Sequence, residues 1–552
     1  MSSEINFLGQ YNFTVQVEHD ELGKLGEAIL QFGGDQWPSL RFDHWVVPSK
    51  FQKNKKYNHI RATAKNGEVF TLFECTVTET SIWIDCIVAG AVDGKFQRIK
   101  IRFDDINEWY MPFRTVEEII DPKLSKPNRN NPISVTVTSS GQSFELSTER
   151  VTQTSYVDED HIIHEHILFS FKRIGGSFRV KDIKEKAHEL SSLLSILFAV
   201  PLYIENVLVT CEDGKTYYAF FPAPIKKKQA SKTRSWADYF ISKPRIDGRW
   251  QEIFENYYKS KYRKVLWIRL SGMQHYDSFW DFNVLGYVAL LDKYISEEAK
   301  GKKRNPSQSE LTKDKKLHKA LKKIVPDLSS EQEKGVFSII EKFFMFGRKF
   351  SFREKYEYVL DTMNPDVRSI INLTDDDFEQ IKDIRDAVAH GEASEAIAAD
   401  YSRVGLVVHK ITLMLTYWAF IDFGLTGEDF INCLGGHCWL PLSAGLNKIY
   451  LARLTKTAGF FEVQKKQFDE LSKIKGIKVN ACFLKHADGR IEYAEQHVIA
   501  YKAWMDKCKS GEIPVADIFG QSKDKIKCWG QAYIESGQER LELFQAYFIE
   551  ST

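Results

Sequence analysis

Ile384-Arg385-Asp386-Ala387-Val388-Ala389-His390-Gly391 places an arginine, a carboxylate and a histidine within a few residues at the end of a predicted helix. Thr374 is a fitting N-cap, and Asp375, Asp376 and Asp377 follow in the first turn, where the helix dipole favours acids. Phe378, Ile381, Ile384 and Val388 recur at helical spacing and predict one buried stripe. Gly391 can take the left-handed conformation that ends a helix. Asp386 and His390 sit one turn apart on the face away from the stripe. Arg385 lies toward the stripe's edge, from which its long side chain can reach out.

The same Arg-to-His spacing recurs at Arg269/His275 and Arg403/His409. There Leu270 and Val404 follow the Arg, so no polar partner is placed to hold the His, and His409 sits in an apolar helix where a satisfied core histidine is the default. Around the 385–390 stretch the period is helical. Asp281 to Ser296, with Val284, Leu285, Val288, Leu291 and Ile295 inward, Gly335 to Phe346, Phe352 to Met363 and Tyr401 to Phe423 predict a four-to-five helix bundle. A basic run, including Lys302, Lys303, Arg304, Lys315 and Lys316, joins two of these helices. It reads equally as a solvated face or as a contact for RNA phosphates.

Residues 1–225 read mainly as strands: Arg41 to Val47, His59 to Thr63, Val69 to Val77, Ser81 to Val88, Lys95 to Phe103, Ile133 to Thr138, His161 to Phe171, Val207 to Thr210 and Thr216 to Phe221. One helix, Lys181 to Val200, stops at Pro201, and Pro122 to Pro132 marks a loop. His161, His164 and His166 read as strand-surface histidines, because only the last two share a face. Pro222 to Pro244 has linker composition. In the third region, Cys433/His437 and Cys482/His486 could supply four zinc ligands, but neither pair has the two-residue knuckle, and buried cysteines are common. The stronger expectation is no metal and no cofactor. The expected fold class is α+β multidomain: a β-rich N-terminal domain over 1–225, a linker over 226–249, an all-α bundle over 250–425, and a mixed, mainly helical C-terminal region over 426–552.

A chain of 552 residues exceeds one ordinary core, and 43% hydrophobic content marks it as globular. The net charge of +1 gives no global pull toward nucleic acid, so affinity for it must come from local clusters. Met1-Ser2-Ser3-Glu4 does not open a signal peptide, and the apolar stretch Ile411 to Ile421 is about half a membrane span and reads as a buried helix. Eight cysteines without a small secreted scaffold point to reduced thiols and a cytoplasmic location, with no membrane partner.

At Arg385, Asp386 and His390 the sequence resembles the HEPN superfamily, whose ribonucleases carry Arg, a polar residue and then His. The closer resemblance is to ApeA-type abortive-infection proteins of bacterial antiphage defence, in which a HEPN domain follows a long β-rich domain. Phe7-Leu8-Gly9-Gln10-Tyr11-Asn12-Phe13 resembles the start of that domain, and Phe350-Ser351-Phe352-Arg353-Glu354-Lys355 fits the Apea-like HEPN pattern. The family usually has Asn where Asp386 stands. The resemblance implies a homodimeric, metal-independent endoribonuclease with RNA as substrate, tRNA among its targets, and a phage protein as trigger. Arg385 would stabilise phosphoryl charge, His390 would carry a proton, and Asp386 would orient the imidazole. The alternative is a non-catalytic HEPN module that binds a nucleotide or a protein.

Overall fold

The computed structural model describes residues 4–42, 47–111, 131–139, 141–157, 160–226, 234–276, 279–303, 349–390, 400–507 and 515–550, with single residues or short runs between 316 and 335. The protein is α+β, 40% helical and 31% strand. It divides into two compact units, Met1–Leu446 and Asn447–Thr552.

The first unit begins with a closed ring of six strands. β1 (Tyr11–His19), β2 (Gly23–Gly33), β3 (Gln36–Phe42), β4 (Lys56–Ala64), β5 (Val69–Val77) and β6 (Ile82–Trp83) close because the short β6 pairs with both β3 and β5. Closure removes the sheet edges that would otherwise template aggregation. The register places Val15, Val17, Ala28, Leu30, Ala62 and Ala64 on one face, and all are buried. β1 and β2 were not predicted. Leu-Gly-Glu-Ala-Ile-Leu-Gln over 25–31 is rich in helix formers, and strand pairing overrides that local preference. Gly23 and Gly26, both at positive φ, permit the turn and the register shift beside Val17.

From β5 an antiparallel sheet extends through β7 (Cys86–Val88), β15 (Thr216–Phe220), β14 (Ile204–Thr210), β9 (Arg98–Phe103), β12 (Asp160–Ile174), β11 (Gln142–Val157) and β10 (Ser134–Ser139). β8 (Lys95–Phe96) and β13 (Phe178–Arg179) form a separate pair. The predicted strand over 95–103 is thus divided between β8 and β9. His164 is exposed and contacts the Ser155 hydroxyl at 3.1 Å, whereas His166 is buried. Burial, helped by Arg102, pushes the His166 imidazole down to about 4, so it is neutral at physiological pH.

α1 (Val180–Phe198) is almost wholly buried and joins the sheet to the helices that follow. Glu189 on α1 accepts the Tyr257 hydroxyl on its carbonyl at 2.9 Å, and its carboxylate lies 2.8 Å from Lys186 and 3.3 Å from Arg263. The expected linker over 226–249 carries buried Tyr239, Phe240, Ile241 and Ile246 within its described residues. Tyr239 packs edge-on to Phe198 of α1 and Phe240 to Phe420 and Phe430, while Trp109 stands edge-on to Trp250 of α2 (Trp250–Lys259) and donates to the Ile241 carbonyl at 2.7 Å.

α3 (Ile268–His275), α4 (Trp280–Glu298), α5 (Phe352–Asp361), α6 (Pro365–Ile371), α7 (Asp375–His390), α8 (Tyr401–Asp422) and α9 (Gly427–Leu434) follow. The helix expected over 335–346 lies outside the described residues except for Gly335. Tyr294 on α4 stacks on Trp418 on α8 at 4.4 Å. The predicted inward residues Val284, Val288, Leu291 and Ile295 are buried, while Leu285 is only half-buried. α8 is 22 residues long and, by length and composition alone, apolar enough to cross a membrane. However, 78% of its apolar window is buried within the protein, which makes it a core helix.

The second unit holds a mixed five-stranded sheet in the order β16 (Gly459–Glu462), β19 (Ile526–Ser536), β20 (Glu539–Glu550), β17 (Cys482–Lys485) and β18 (Ile491–Tyr493). Phe468 and Leu471 from the helix Lys465–Ser472 pack against Phe483, Ile534 and Phe548. Val498 and Tyr501 from the helix Glu495–Lys507 form a second cluster with Cys482 and Ile549.

Candidate active site

α7 starts as its sequence predicts. The Thr374 hydroxyl accepts from the Asp377 amide at 3.1 Å, and the Asp377 carboxylate accepts from the Thr374 amide at 3.0 Å. Phe378, Ile381 and Ile384 are buried as a stripe. The Val388 side chain and Gly391 lie outside the described residues. The stripe faces α4, α5 and α8, and Asp377 is anchored there by Lys410 of α8 at 2.7 Å.

Arg385 leaves the edge of that stripe and is held on three sides. Its Nε donates to Asp292 Oδ2 at 3.1 Å, and its Nη1 donates to Asp386 Oδ1 at 2.9 Å. The guanidinium lies 4.7 Å from the centre of the Phe352 ring. Burial opposes the charge on Arg385, but Asp292 and Asp386 more than compensate and hold its pKa above the ordinary value. The Arg385 side chain remains 35% exposed, so an incoming anion can still reach it.

The segment 350–355 supplies the wall beside Arg385. Ser351 caps α5 in a reciprocal pair with Glu354. Phe352 stacks on Phe378 at 5.6 Å while carrying Arg385 on its ring. Arg353 reaches Glu379 at 2.5 Å and Asp375 at 3.5 Å, tying α5 to α7. Lys355 donates to the Ser296 hydroxyl at 3.3 Å, and Ser296 donates to Asp292 at 3.3 Å. A polar line therefore runs from Lys355 through Ser296 and Asp292 to Arg385 and Asp386.

Asp292 had no signal in the sequence. It sits 93 positions before Arg385, and only packing of α4 on α7 brings the two together. Of the predicted RNA-contacting residues, Lys302 and Lys303 line a cavity of about 540 Å³ with Lys300, Lys349, Phe350 and Lys355. This cavity also touches Ser296, and so adjoins the polar line. Lys316 is exposed on a helical residue, while Arg304 and Lys315 lie outside the described residues. His390 is the last residue of α7, one turn beyond Asp386, and its side chain lies outside the described set.

The other Arg-to-His pairs are structural. His409 approaches the Ser443 carbonyl at 3.2 Å and stands edge-on to Trp439, with burial lowering its pKa. His275 lies 2.8 Å from the Ser271 carbonyl and 3.0 Å from the Leu202 carbonyl. Cys433 donates to the Asp429 carbonyl, and burial pushes its thiol and that of Cys482 up to about 12, which removes nucleophilic character. His486 lies 3.2 Å from Glu492. Among the described residues, no three His, Cys, Asp or Glu side chains gather into a group that could hold a metal ion.

Residues 285–429, which hold α5 to α8, most of α4 and the start of α9, match the Apea-like HEPN family model. Residues 27–257 match ApeA N-terminal domain 1, a span that runs from within β2 through the rest of the ring and the open sheet into α2 and leaves out β1. With both domains in this order, the chain belongs to the ApeA-type HEPN defence proteins. No curated protein and no solved structure matches it.

Proposed function

We propose that the chain is a metal-independent endoribonuclease whose catalytic set is Arg385, Asp386 and His390, working as a homodimer through the helical bundle. The observation that carries this reading is Arg385, a half-exposed cation fixed by Asp292, Asp386 and the Phe352 ring on the helix that ends in His390. RNA already holds the nucleophile, the 2′-hydroxyl beside each phosphate. A base removes its proton, the O2′–P bond forms as the P–O5′ bond breaks, and an acid protonates the leaving O5′. The products are a 2′,3′-cyclic phosphate and a 5′-hydroxyl end. One histidine cannot be both base and acid in the same turnover step, and a twofold axis would supply two histidines and two arginines. The preorganised guanidiniums would meet the charge that develops on the phosphoryl oxygens. Lys302, Lys303, Lys349 and Lys355, around the adjoining cavity, would hold flanking phosphates.

The test incubates the wild-type chain and His390→Ala with total cellular RNA in EDTA, followed by sequencing of the ends. Wild-type cleavage is expected to be unchanged by EDTA, because both carboxylates beside Arg385 are occupied by it rather than arranged for two-metal chemistry. Loss of cleavage in EDTA, restored by magnesium on an RNA that needs no metal to fold, counts against the mechanism. Cut sites confined to tRNA would make tRNA the target.

Asp292 would position Arg385. Asp292→Ala is expected to lower cleavage about 10²-fold, the scale of a misplaced catalytic group, with little change in melting temperature. A rise in cleavage would instead make Asp292 a restraint.

A non-catalytic HEPN module is the second reading, and one observation favours it: Arg385 already has two carboxylate partners. Wild-type and His390→Ala proteins that both leave RNA intact, but bind it, would establish that reading.

The N-terminal domain, 1–225 in our division, would be the sensor of a phage-made protein in the cytoplasm, coupled to the bundle at 250–425 through α1. Because Glu189 of α1 binds Tyr257 and Arg263, a fragment over 250–552 loses part of its core. That fragment is expected to be insoluble, and restraint is better read in the full chain. Purified full-length protein should cleave little RNA until extract from infected cells is added, a switch worth about 5 kcal/mol of differential binding. Full cleavage by the protein alone would remove the sensor role.

A further inference from the structure

The second unit lies beyond both family matches, and it contains a cavity of about 430 Å³ whose walls combine cations with aromatic rings. The cavity arises from strand lengths. β16 pairs with β19 only from Gly459 opposite Ala532 to Glu462 opposite Glu535. The earlier half of β19, from Ile526, has no strand beside it on that edge among the described residues. The notch left at the start of β16 is the cavity.

Its floor is aromatic. Phe461 stacks on Phe548 at 3.8 Å, and Trp529 on β19 lies beside them. Gly459 lets these rings approach, since a Cβ there would stand 2.8 Å from Phe461 and 2.9 Å from Trp529. Phe460 forms another wall beneath the Arg453 guanidinium, 4.0 Å from its ring centre. The rim is basic. Lys456, Lys485, Lys525 and Lys527 open onto the cavity, and none of them forms an ion pair with a described carboxylate. Arg453 is paired with Glu535, and the rim's own acids are Asp524 and Glu550. Lys527 sits 4.0 Å over the Trp529 ring.

We infer that this cavity is a nucleotide-binding site, taking one unpaired base against Phe461 and Trp529 and its flanking phosphates on Lys456, Lys485, Lys525 and Lys527. Flat rings beneath unpaired cations are the chemistry by which single strands are held without regard to sequence. The volume lies in the range that encloses one small organic ligand, and so suits one nucleotide. The same chemistry would accept a free nucleotide or a nucleotide within an RNA strand. The site is independent of the proposed cleavage, and its test does not read cleavage.

The experiment uses the full-length chain and a fluorescein-labelled 2′-O-methyl RNA 12-mer, which cannot be cut by 2′-hydroxyl attack. Binding is followed by anisotropy over a range of salt, with AMP and polyglutamate as competitors. Lys485→Glu/Lys527→Glu is expected to weaken binding at least about tenfold and to lower the slope of log affinity against log salt by about 1.4. Trp529→Ala is expected to weaken binding at least about fivefold with the salt slope unchanged. If AMP binds as tightly as the 12-mer and loses affinity in the same variants, the natural ligand is the free nucleotide; if the 12-mer binds at least tenfold tighter, it is the strand. The inference is overturned if folded variants bind the 12-mer and AMP as the parent does, or if polyglutamate displaces the 12-mer as well as unlabelled RNA does.

Discussion

His390→Ala is expected to reduce RNA cleavage about 10²- to 10⁴-fold, the usual worth of a positioned proton-transfer group. Arg385→Ala is expected to cost about 10²- to 10³-fold, as removal of a preorganised donor to a developing oxyanion does. Arg385 is also the member whose loss can be separated from unfolding. Its side chain is 35% exposed, and pairs at that exposure contribute at most about 1 kcal/mol after solvent screening. The melting temperature of Arg385→Ala should therefore stay within a few degrees of the parent. Arg403→Ala provides the control, since among the described residues the Arg403 side chain makes only a surface contact, with Asp376 at 3.6 Å. Cleavage of a defined RNA, measured beside thermal unfolding for all three variants, decides the matter. If Arg403→Ala loses activity while folded and the other two keep it, the catalytic helix has been misassigned.

Lys410→Ala should be the most destabilising single change near the site, by about 3–5 kcal/mol, because it strands a buried carboxylate. Lys410 and Asp377 are 5% and 8% exposed and lie 2.7 Å apart, and Lys410 also donates to the Asn372 carbonyl at 2.8 Å. Burial pushes the Asp377 carboxyl up, but the hydrogen bonds from Lys410 and Thr374 outweigh it and hold the group below its ordinary range. A depressed folded pKa contributes stability that is complete above the unfolded carboxyl range, near pH 4, and is lost as pH falls through the folded value. The wild type should thus lose this contribution only in strong acid. In Lys410→Ala burial dominates, so Asp377 should protonate at a higher pH, and the gap from wild type should narrow in acid. Urea denaturation at pH 7 and near pH 4 measures both effects. A gap under about 1 kcal/mol at pH 7, or one that widens in acid, would mean that Asp377 is not held by Lys410. The functional consequence follows from position: this pair fixes the start of the helix whose other end carries Arg385 and His390.

What the sequence determined by itself was local. Capping at Thr374 and the apolar stripe of Phe378, Ile381 and Ile384 on α7 depend on neighbours within a few residues, and they form as read. The motif helix was legible for the same reason, and so was the exclusion of Arg403/His409, whose His is packed against Trp439. Tertiary structure alone decided the rest. β1 and β2 are strands because their partners in the ring reward pairing more than the composition of 25–31 rewards a helix. Ring closure rests on a two-residue strand, too short to carry a periodic signal. Asp292 and Phe352 reach Arg385 from distant positions because three helices pack together, and the aromatic floor of the second cavity is assembled from β16, β19 and β20. Such contacts follow from burial of whole helix and sheet faces, a long-range free energy that no short window of sequence contains.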